Sequence, residues 1–531
     1  MKAWQDVASL YQIYPRSFQD TNGDGIGDLN GITEKLDYLA WLGVDAIWIS
    51  PFFVSPLTDF GYDIANYRVI DPTFGGLDDF RALLEKAHIL DIKVIIDLVP
   101  CHTSDQHPWF QEARSSRDNP KRDYYVWRDG RDGNEPNNWR SLSGGSSWEL
   151  DEQTGQFYLH SFLKTQPDLN WDNPAVRDEM KNVVRFWFNM GVDGMRVDAI
   201  WGISKDPEFG DDSPNPDFHG DPEAYGAFIH DHCKMGPRFQ EYLRELASVC
   251  DEYDDKQMVF EFYPDEKLSD IYQQYHQVLT AHPKASAFFM EYRQDEWHAE
   301  HVGQKIENYL QEADSAKPFF CLGNHDQPRI ASRLGTERAR ALHFLNLLTP
   351  GVSVMYYGDE IGMTNGELTA DDIQDNFSPA NSVIDSRDLE RTPMQWDDTR
   401  FAGFSEVKPW LPVNKNRAFV NVNSEKSSPA SMLNLHRALL RLRQEFPIIK
   451  NGTLNIVSGT DTGNGFILGI KRELGRERAY IFINFADAPQ SFSIPENGRI
   501  LASTHPQYLL LGKDRQMTIP GYCGVILIVG S

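Results

Sequence analysis

Four apolar runs in this 531-residue sequence end abruptly in groups able to move protons. One leads through Asp97 to His102, a second through Arg196 to Asp198, a third to Glu261, and a fourth to His325 and Asp326. A single acid after an apolar run ordinarily caps a strand or opens the next helix. Four such endings in succession are a different matter. Carboxyl and imidazole groups gathered in one place can supply a general acid, a general base and a nucleophile. Whether they meet depends on the elements that present them.

Those elements read as alternating strands and helices. Short apolar runs at Leu10–Tyr14, Ala46–Ile49, Val94–Val99, Gly194–Val197, Met258–Glu261, Ala285–Phe289, Phe319–Leu322 and Ser353–Tyr357 predict eight strands. Amphipathic stretches such as Leu77–Leu90 and Pro174–Met190 lie between them. This alternation predicts an α/β fold, a (β/α)8 TIM barrel, whose chemistry sits at the C-terminal ends of the strands. A doubly wound open sheet fits the same periodicity. Residues 102–170, rich in Trp, Asp, Asn, Gly and Arg, predict a subdomain inserted after strand 3. The barrel then takes residues 1–101 and 171–448, with a second insertion from Ser204 to about Gly236. After the helical stretch Met432–Glu445, alternating runs at Leu454–Val457, Phe466–Lys471, Ala479–Asn484 and Val525–Val529 predict an antiparallel β-sandwich over residues 449–531.

The segments DLVPCH (Asp97–His102), GMRVDAI (Gly194–Ile200), FEFYPD (Phe260–Asp265) and GNHDQ (Gly323–Gln327) resemble the four signature segments of the α-amylase superfamily. YQIYPRSFQDTNGDGIGDLNGI, FGYDIANY, QPDLNW and RTPMQW resemble its oligo-1,6-glucosidase and α-glucosidase branch, in the right order from Tyr11 to about Trp396. The resemblance implies a retaining, exo-acting α-glucosidase that works through a covalent glucosyl-enzyme intermediate. It implies Asp198 as nucleophile, Glu261 as acid/base and Asp326 as the third acid. His102 and His325 resemble histidines that bind sugar hydroxyls, and Tyr62 resembles the aromatic platform under the sugar. Asp63 and Arg391 resemble a pair that holds the non-reducing-end 4-hydroxyl and closes the pocket. Retention needs two carboxyl groups about 5–5.5 Å apart, one ionised and one protonated. Arg196, two residues before Asp198 on one strand, is expected to favour its ionised form. Glu261 follows Met258, Val259 and Phe260, and apolar neighbours of that kind raise a carboxyl pKa.

The stretch Asp20-Thr-Asn22-Gly-Asp24-Gly-Ile26-Gly-Asp28 places oxygen donors at alternate positions, which suits a hard divalent cation. Gly31 stands where an EF-hand has its bidentate Glu. The resemblance implies a structural Ca2+ or Mg2+ held by Asp20, Asn22, Asp24, the Ile26 carbonyl and Asp28, and no organic cofactor. Cys101 stands where the family usually has Asn, and Phe260 where many relatives have Gly, so the surroundings of His102 and the leaving-group side are expected to differ. Ala199, after the nucleophile position, resembles the α-1,4-preferring relatives, which favours maltose- or sucrose-like substrates over isomaltose. Glucosyl transfer or sucrose isomerisation would use the same intermediate.

The charge balance narrows the partners. Lys plus Arg number 51 against 78 Asp plus Glu, a formal charge of −27, which disfavours nucleic acid and anionic membrane and leaves small neutral α-glucosides. The N-terminal MKAWQDVASLYQIYPRSF lacks an apolar run of signal-peptide length, and the five cysteines lack paired spacing, so a cytoplasmic protein is expected. The sequence leaves the oligomeric state open. A non-catalytic binding protein on the same barrel competes weakly, because such chains lose catalytic acids and all three are present here.

Overall fold

The computed structural model describes residues 2–291, 297–313, 316–377, 382–457, 464–505, 510–511 and 515–529. Eight strands form a closed barrel: β1 (Ser9–Ile13), β2 (Ala46–Ile49), β3 (Lys93–Leu98), β4 (Gly194–Val197), β5 (Gln257–Phe260), β6 (Ala285–Phe289), β7 (Phe319–Cys321) and β8 (Val352–Tyr356). Each lies beside its neighbours in chain order, and β8 pairs with β1 in parallel to close the ring. The barrel, and not the open sheet, is the fold. Every strand end falls within one residue of its expected place.

Helices cover the outside because their apolar stripe has nowhere else to go. The helix Pro174–Met190 shows the rule. Asn173 caps it by accepting from the Ala175 amide, Pro174 occupies the first turn, and Gly191 ends it at φ 115°. Val176, Met180, Val183, Val184 and Trp187 recur at three and four and are buried. The Trp187 indole also donates to the Tyr67 carbonyl at 2.9 Å. Truncating Trp187 to Ala would cost about 3–5 kcal/mol by opening that seam.

Strand parity decides what faces the barrel axis. Leu10, Trp48, Ile95, Val259, Phe288, Phe319 and Val354 join Trp4 in an inner cluster, whereas Ile47, Ile96, Val197, Phe260 and Phe289 pack outward against the helices. Gly194 belongs to the inner set, and a Cβ there would lie 2.6 Å from the Gln257 carbonyl and 3.3 Å from the Trp4 ring. The indole thus fills the space that a side chain would need. Ile95 is aligned with Gly194 and Asp97 with Arg196, while Val259 lies opposite Arg196 on its other side. Two residues beyond that level, Asp198 and Glu261 reach the C-terminal mouth on the same inward parity.

Between β3 and β4 lies a three-stranded antiparallel sheet of Trp127–Arg128, Gln156–Leu159 and Trp148–Asp151. After the helix Met432–Glu445, a five-stranded and a three-stranded antiparallel sheet follow. Their facing sides bury Ile467, Phe482, Phe492, Met517 and Leu527, so the expected sandwich is present. Among the described residues, no helix is long and apolar enough to cross a membrane.

Candidate active site

Asp97, Arg196, Asp198 and Glu261 converge around one guanidinium. Arg196 Nη1 contacts the carboxylates of Asp97 and Asp198, the latter at 2.7 Å, while Nη2 contacts Glu261 Oε1. Glu261 Oε2 accepts from the Ala199 amide at 3.2 Å. To make that contact Ala199 takes the left-handed backbone, at φ 44°. Arg196 is fully buried, and Asp198 and Glu261 are 7% and 6% exposed.

One cation shared by three carboxylates leaves excess negative charge in a dry place. Burial raises the Asp198 carboxyl well above the usual range, and the charges of Glu261, Asp97 and Asp326 push the same way against the pull of Arg196. Burial likewise pushes Asp97 up to about 6. Arg196 pulls the Asp198 carboxyl down as expected, while burial and the neighbouring carboxylates oppose it. At Asp198, burial is the largest influence and outweighs the guanidinium.

The third acid sits in a different field. Burial acts to raise Asp326 too, but the His325 imidazole and the Arg387, Arg391 and Arg196 guanidiniums outweigh it and hold the carboxyl well below its usual range. Burial keeps the His325 imidazole neutral, so the arginines supply the standing charge. Arg387 Nη1 lies 3.1 Å and Arg391 Nη2 2.9 Å from Asp326 Oδ1. His325 receives the Gln12 amide at 2.8 Å on Nδ1, and the Tyr62 ring stacks on its imidazole with centroids 5.1 Å apart. Burial also lowers the His102 pKa, so both imidazoles are neutral at pH 7. His102 sits against the Tyr62 carbonyl at 3.2 Å and the Gln166 amide at 3.1 Å.

The expected pair of Asp63 and Arg391 does not form. Asp63 is wholly buried, and its oxygens accept from Ser55 Oγ and the Thr58 and Asp59 amides. Arg391 goes instead to Asp326 and the His325 carbonyl. The pair that spans the pocket is Asp59 and Arg387, at 2.8 Å, with Arg387 also held by Asp375 at 2.7 Å. Asp59 stands four residues before Asp63 and Arg387 four before Arg391, so the motifs marked the right turns and the wrong members. An acid repeated within one turn, and an arginine repeated one helical turn apart, were the available signals.

A cavity of about 380 Å3 opens above these groups, lined by Tyr62, His102, Asp198, Glu261, Asp326 and Arg387. Trp201, Tyr225 and Lys234, from the second insertion and its approach, wall one side. Phe260 faces the outer core, whereas Tyr263 borders the cavity with its hydroxyl accepting from Asn324 at 2.9 Å. The unusual FEFYPD segment therefore alters the site through Tyr263. Cys101 is buried against Gly202, where a Cβ would meet its sulfur at 2.6 Å. Burial pushes its thiol well above the usual range, which leaves it inert as a nucleophile.

The α-amylase catalytic-domain model matches residues 12–452. The chain belongs to the alpha-amylase family. It is a glycoside hydrolase of that family, as the relatives indicate. The chain is 38% identical to an oligo-1,6-glucosidase of Parageobacillus thermoglucosidasius, with 93% of each chain covered. It is 39% identical to a probable alpha-glucosidase of Rhizobium meliloti, covering 93% of this chain and 91% of that one. The crystal structure of the alpha-glucosyl transfer enzyme XgtA superposes with a TM-score of 0.91 at 35% identity, over 100% of both chains.

In this alpha-amylase family member the side-chain oxygens of the Asp20–Asp28 loop are held in place by local backbone amides. Asp20 accepts from the Gly23 and Gly25 amides at 2.8 and 2.9 Å, and Asp24 from the Ile26 amide at 2.8 Å. Asn22 accepts from the Asp24 amide at 2.9 Å. Asp28 is the N-cap of the helix Leu29–Leu42, taking the Gly31 amide at 2.7 Å and Thr21 on its other side. Asp20, Asp24 and Asp28 are not among the acid, imidazole and thiol groups that converge within 4.8 Å among the described residues. The all-oxygen donor chemistry suits a hard cation, and Asp28 caps the helix Leu29–Leu42 at the edge of the same donor set.

Proposed function

We propose that this chain is a retaining, exo-acting α-glucosidase acting on short α-linked glucosides, with Asp198 as nucleophile, Glu261 as acid/base and Asp326 as the third acid. The observation that carries the reading is the guanidinium of Arg196 touching Asp198 and Glu261 at the mouth of the cavity. A retaining glycosidase must switch one carboxyl between acid and base while the other attacks the anomeric carbon. Coupling both to one cation lets each proton move be balanced inside the site. Glu261 protonates the departing glycosidic oxygen, Asp198 forms the ester to C1, and water activated by Glu261 then displaces it with net retention. Asp326, kept ionised by Arg387 and Arg391, accepts from sugar hydroxyls as positive charge develops on the ring.

Tyr62 with His325 gives the sugar an aromatic floor, and neutral His102 and His325 offer hydrogen bonds to its hydroxyls. The Asp59–Arg387 bridge closes the far end, which is what restricts attack to terminal residues. Ala199 borders the cavity next to the nucleophile, and this reading prefers α-1,4-linked and sucrose-like substrates over α-1,6. The Trp201, Tyr225 and Lys234 wall shortens the leaving-group side and favours disaccharides. We place the barrel in residues 1–101 and 171–448, the inserted subdomain in 102–170 and the C-terminal β domain in 449–531. A structural Ca2+ or Mg2+ on Asp20, Asn22, Asp24, the Ile26 carbonyl and Asp28 belongs to the same proposal. So does a cytoplasmic location, which the five free, buried cysteines favour.

Glucosyl transfer is the second reading, favoured by the likeness to the transfer enzyme XgtA. Time-resolved proton NMR on maltose and on sucrose separates the two. Early α-glucose that disappears in Asp198→Asn establishes retaining hydrolysis, and new glycosidic signals establish transfer. β-Glucose as the first product would overturn the retaining assignment.

A further inference from the structure

The second insertion contains a group that the hydrolytic reading does not use. Asp212, His230 and Cys233 are buried, at 2%, 3% and 8% exposure, and one ligand atom of each lies within 4.8 Å of the other two. His230 Nδ1 is 3.5 Å from Cys233 Sγ and 3.4 Å from Asp212 Oδ2. A tetrahedral zinc with Zn–S of about 2.3 Å and Zn–N and Zn–O of about 2.0–2.1 Å has N–S and N–O edges of about 3.5 and 3.3 Å. The two measured edges match a cage of that size.

The ring is held as a ligand would be. His230 Nε2 donates to the Tyr225 carbonyl at 2.9 Å, which leaves Nδ1 as the lone-pair nitrogen, and the Tyr225 ring stacks on the imidazole at 3.8 Å. His230 takes the left-handed backbone, at φ 63°, to point inward. Asp212 Oδ1 accepts from the His232 and Cys233 amides, at 2.8 and 3.2 Å. Its second oxygen, Oδ2, is buried with no hydrogen-bond partner and is the one aimed at His230. The nearby lysines have ion-pair partners outside the group, Lys234 at 3.7 Å from Asp265 and Lys205 at 2.9 Å from Asp168.

The geometry points to a zinc site formed by Asp212 Oδ2, His230 Nδ1 and Cys233 Sγ, with water in the fourth position. Carboxylate, imidazole and thiolate together suit Zn2+ over Ca2+ or Mg2+. Cys233 releases its thiol proton to solvent as the Zn–S bond forms, and the two negative ligands neutralise the ion inside the buried site. The ion would staple the base of the hairpin that pairs Ser213 with Ile229 and Asn215 with Ala227. Tyr225, seated on His230, lines the active-site cavity. The site would therefore fix the leaving-group wall.

The test uses the full-length, reduced, chelator-stripped protein, with excess Ca2+ present to saturate oxygen-only sites. Titration with Co2+ is expected to give a near-ultraviolet thiolate-to-cobalt band that saturates at a single equivalent and is bleached by Zn2+. Cys233→Ser and His230→Gln lose the band, and Cys250→Ser keeps it. No band in folded, active wild-type protein would overturn the site, whatever the variants do. A band of equal strength in Cys233→Ser would overturn it too, because another thiol would then be the ligand.

Discussion

Arg387→Ala removes the cation that joins Asp59, Asp326 and Asp375, and so tests how the pocket is closed. The guanidinium lies 2.8, 3.1 and 2.7 Å from those three acids and is largely shielded from solvent. Deleting one member of a buried, hydrogen-bonded ion group costs about 2–5 kcal/mol, much of it from the charges left unpaired. At about 1.4 kcal/mol per tenfold, kcat/KM for maltose is expected to fall about 30- to 4,000-fold. The loss has a second signature. With the far end open, a maltoheptaose blocked at its non-reducing end becomes a substrate for the variant, whereas the wild type leaves it intact. Arg387→Lys keeps the charge but not the forked geometry and should fall between the two. Initial rates on both sugars, with a thermal melt to establish folding, read the outcome. A folded Arg387→Ala enzyme within about twofold of wild type on maltose would refute the closure argument.

Ala199→Val should shift the ratio of kcat/KM for isomaltose over maltose upward, by about 5- to 150-fold if a pocket methyl is worth about 1–3 kcal/mol. Competition kinetics measure it, and an unchanged ratio would remove Ala199 from linkage choice. At about 100 times its Kd, Ca2+ binding at the Asp20 loop should stabilise the fold by about 2.7 kcal/mol. Calorimetry should show that gain disappearing in Asp24→Ala, and a melt indifferent to Ca2+ would remove the ion. Burial lowers His107, the cap of the helix Pro108–Ala113, to about 3 from the ordinary 6.5. The unfolded chain therefore binds the extra proton, and stability should fall as pH drops from about 6.5 toward 3. Urea melts across that window should show a shallower fall for His107→Asn, and an identical slope would show that this imidazole is not a source of acid lability.

The barrel was legible because its information is local: eight apolar runs, each followed by an amphipathic stretch, admit few arrangements. The residues at the strand ends were legible for the same reason, since Asp97, Arg196, Asp198 and Glu261 sit where parity is readable. The partners of Arg387 and Arg391 were not. Both arginines lie on one long excursion after β8, and which of them meets Asp59 depends on the path of that loop in space. Asp63 misled because a buried carboxylate satisfied by neighbouring amides looks, in sequence, like one that binds substrate. Asp198 shows a further limit, because an adjacent arginine on one strand says nothing of the two other carboxylates that share it. The strands Gln490–Ser493, Arg499–Ser503 and Gln516–Ile519 escaped notice because they are short and half polar.

Beneath the acids, the barrel is floored by Trp4, Leu10, Trp48, Ile95, Val259, Phe288, Phe319 and Val354. Among those apolar side chains, Cys321 has its thiol pushed up by burial to about 12. Such a floor relays no protons at neutral pH. Once a sugar plugs the mouth, the proton that Glu261 gives to the leaving group is replaced from the water that enters after the leaving group departs.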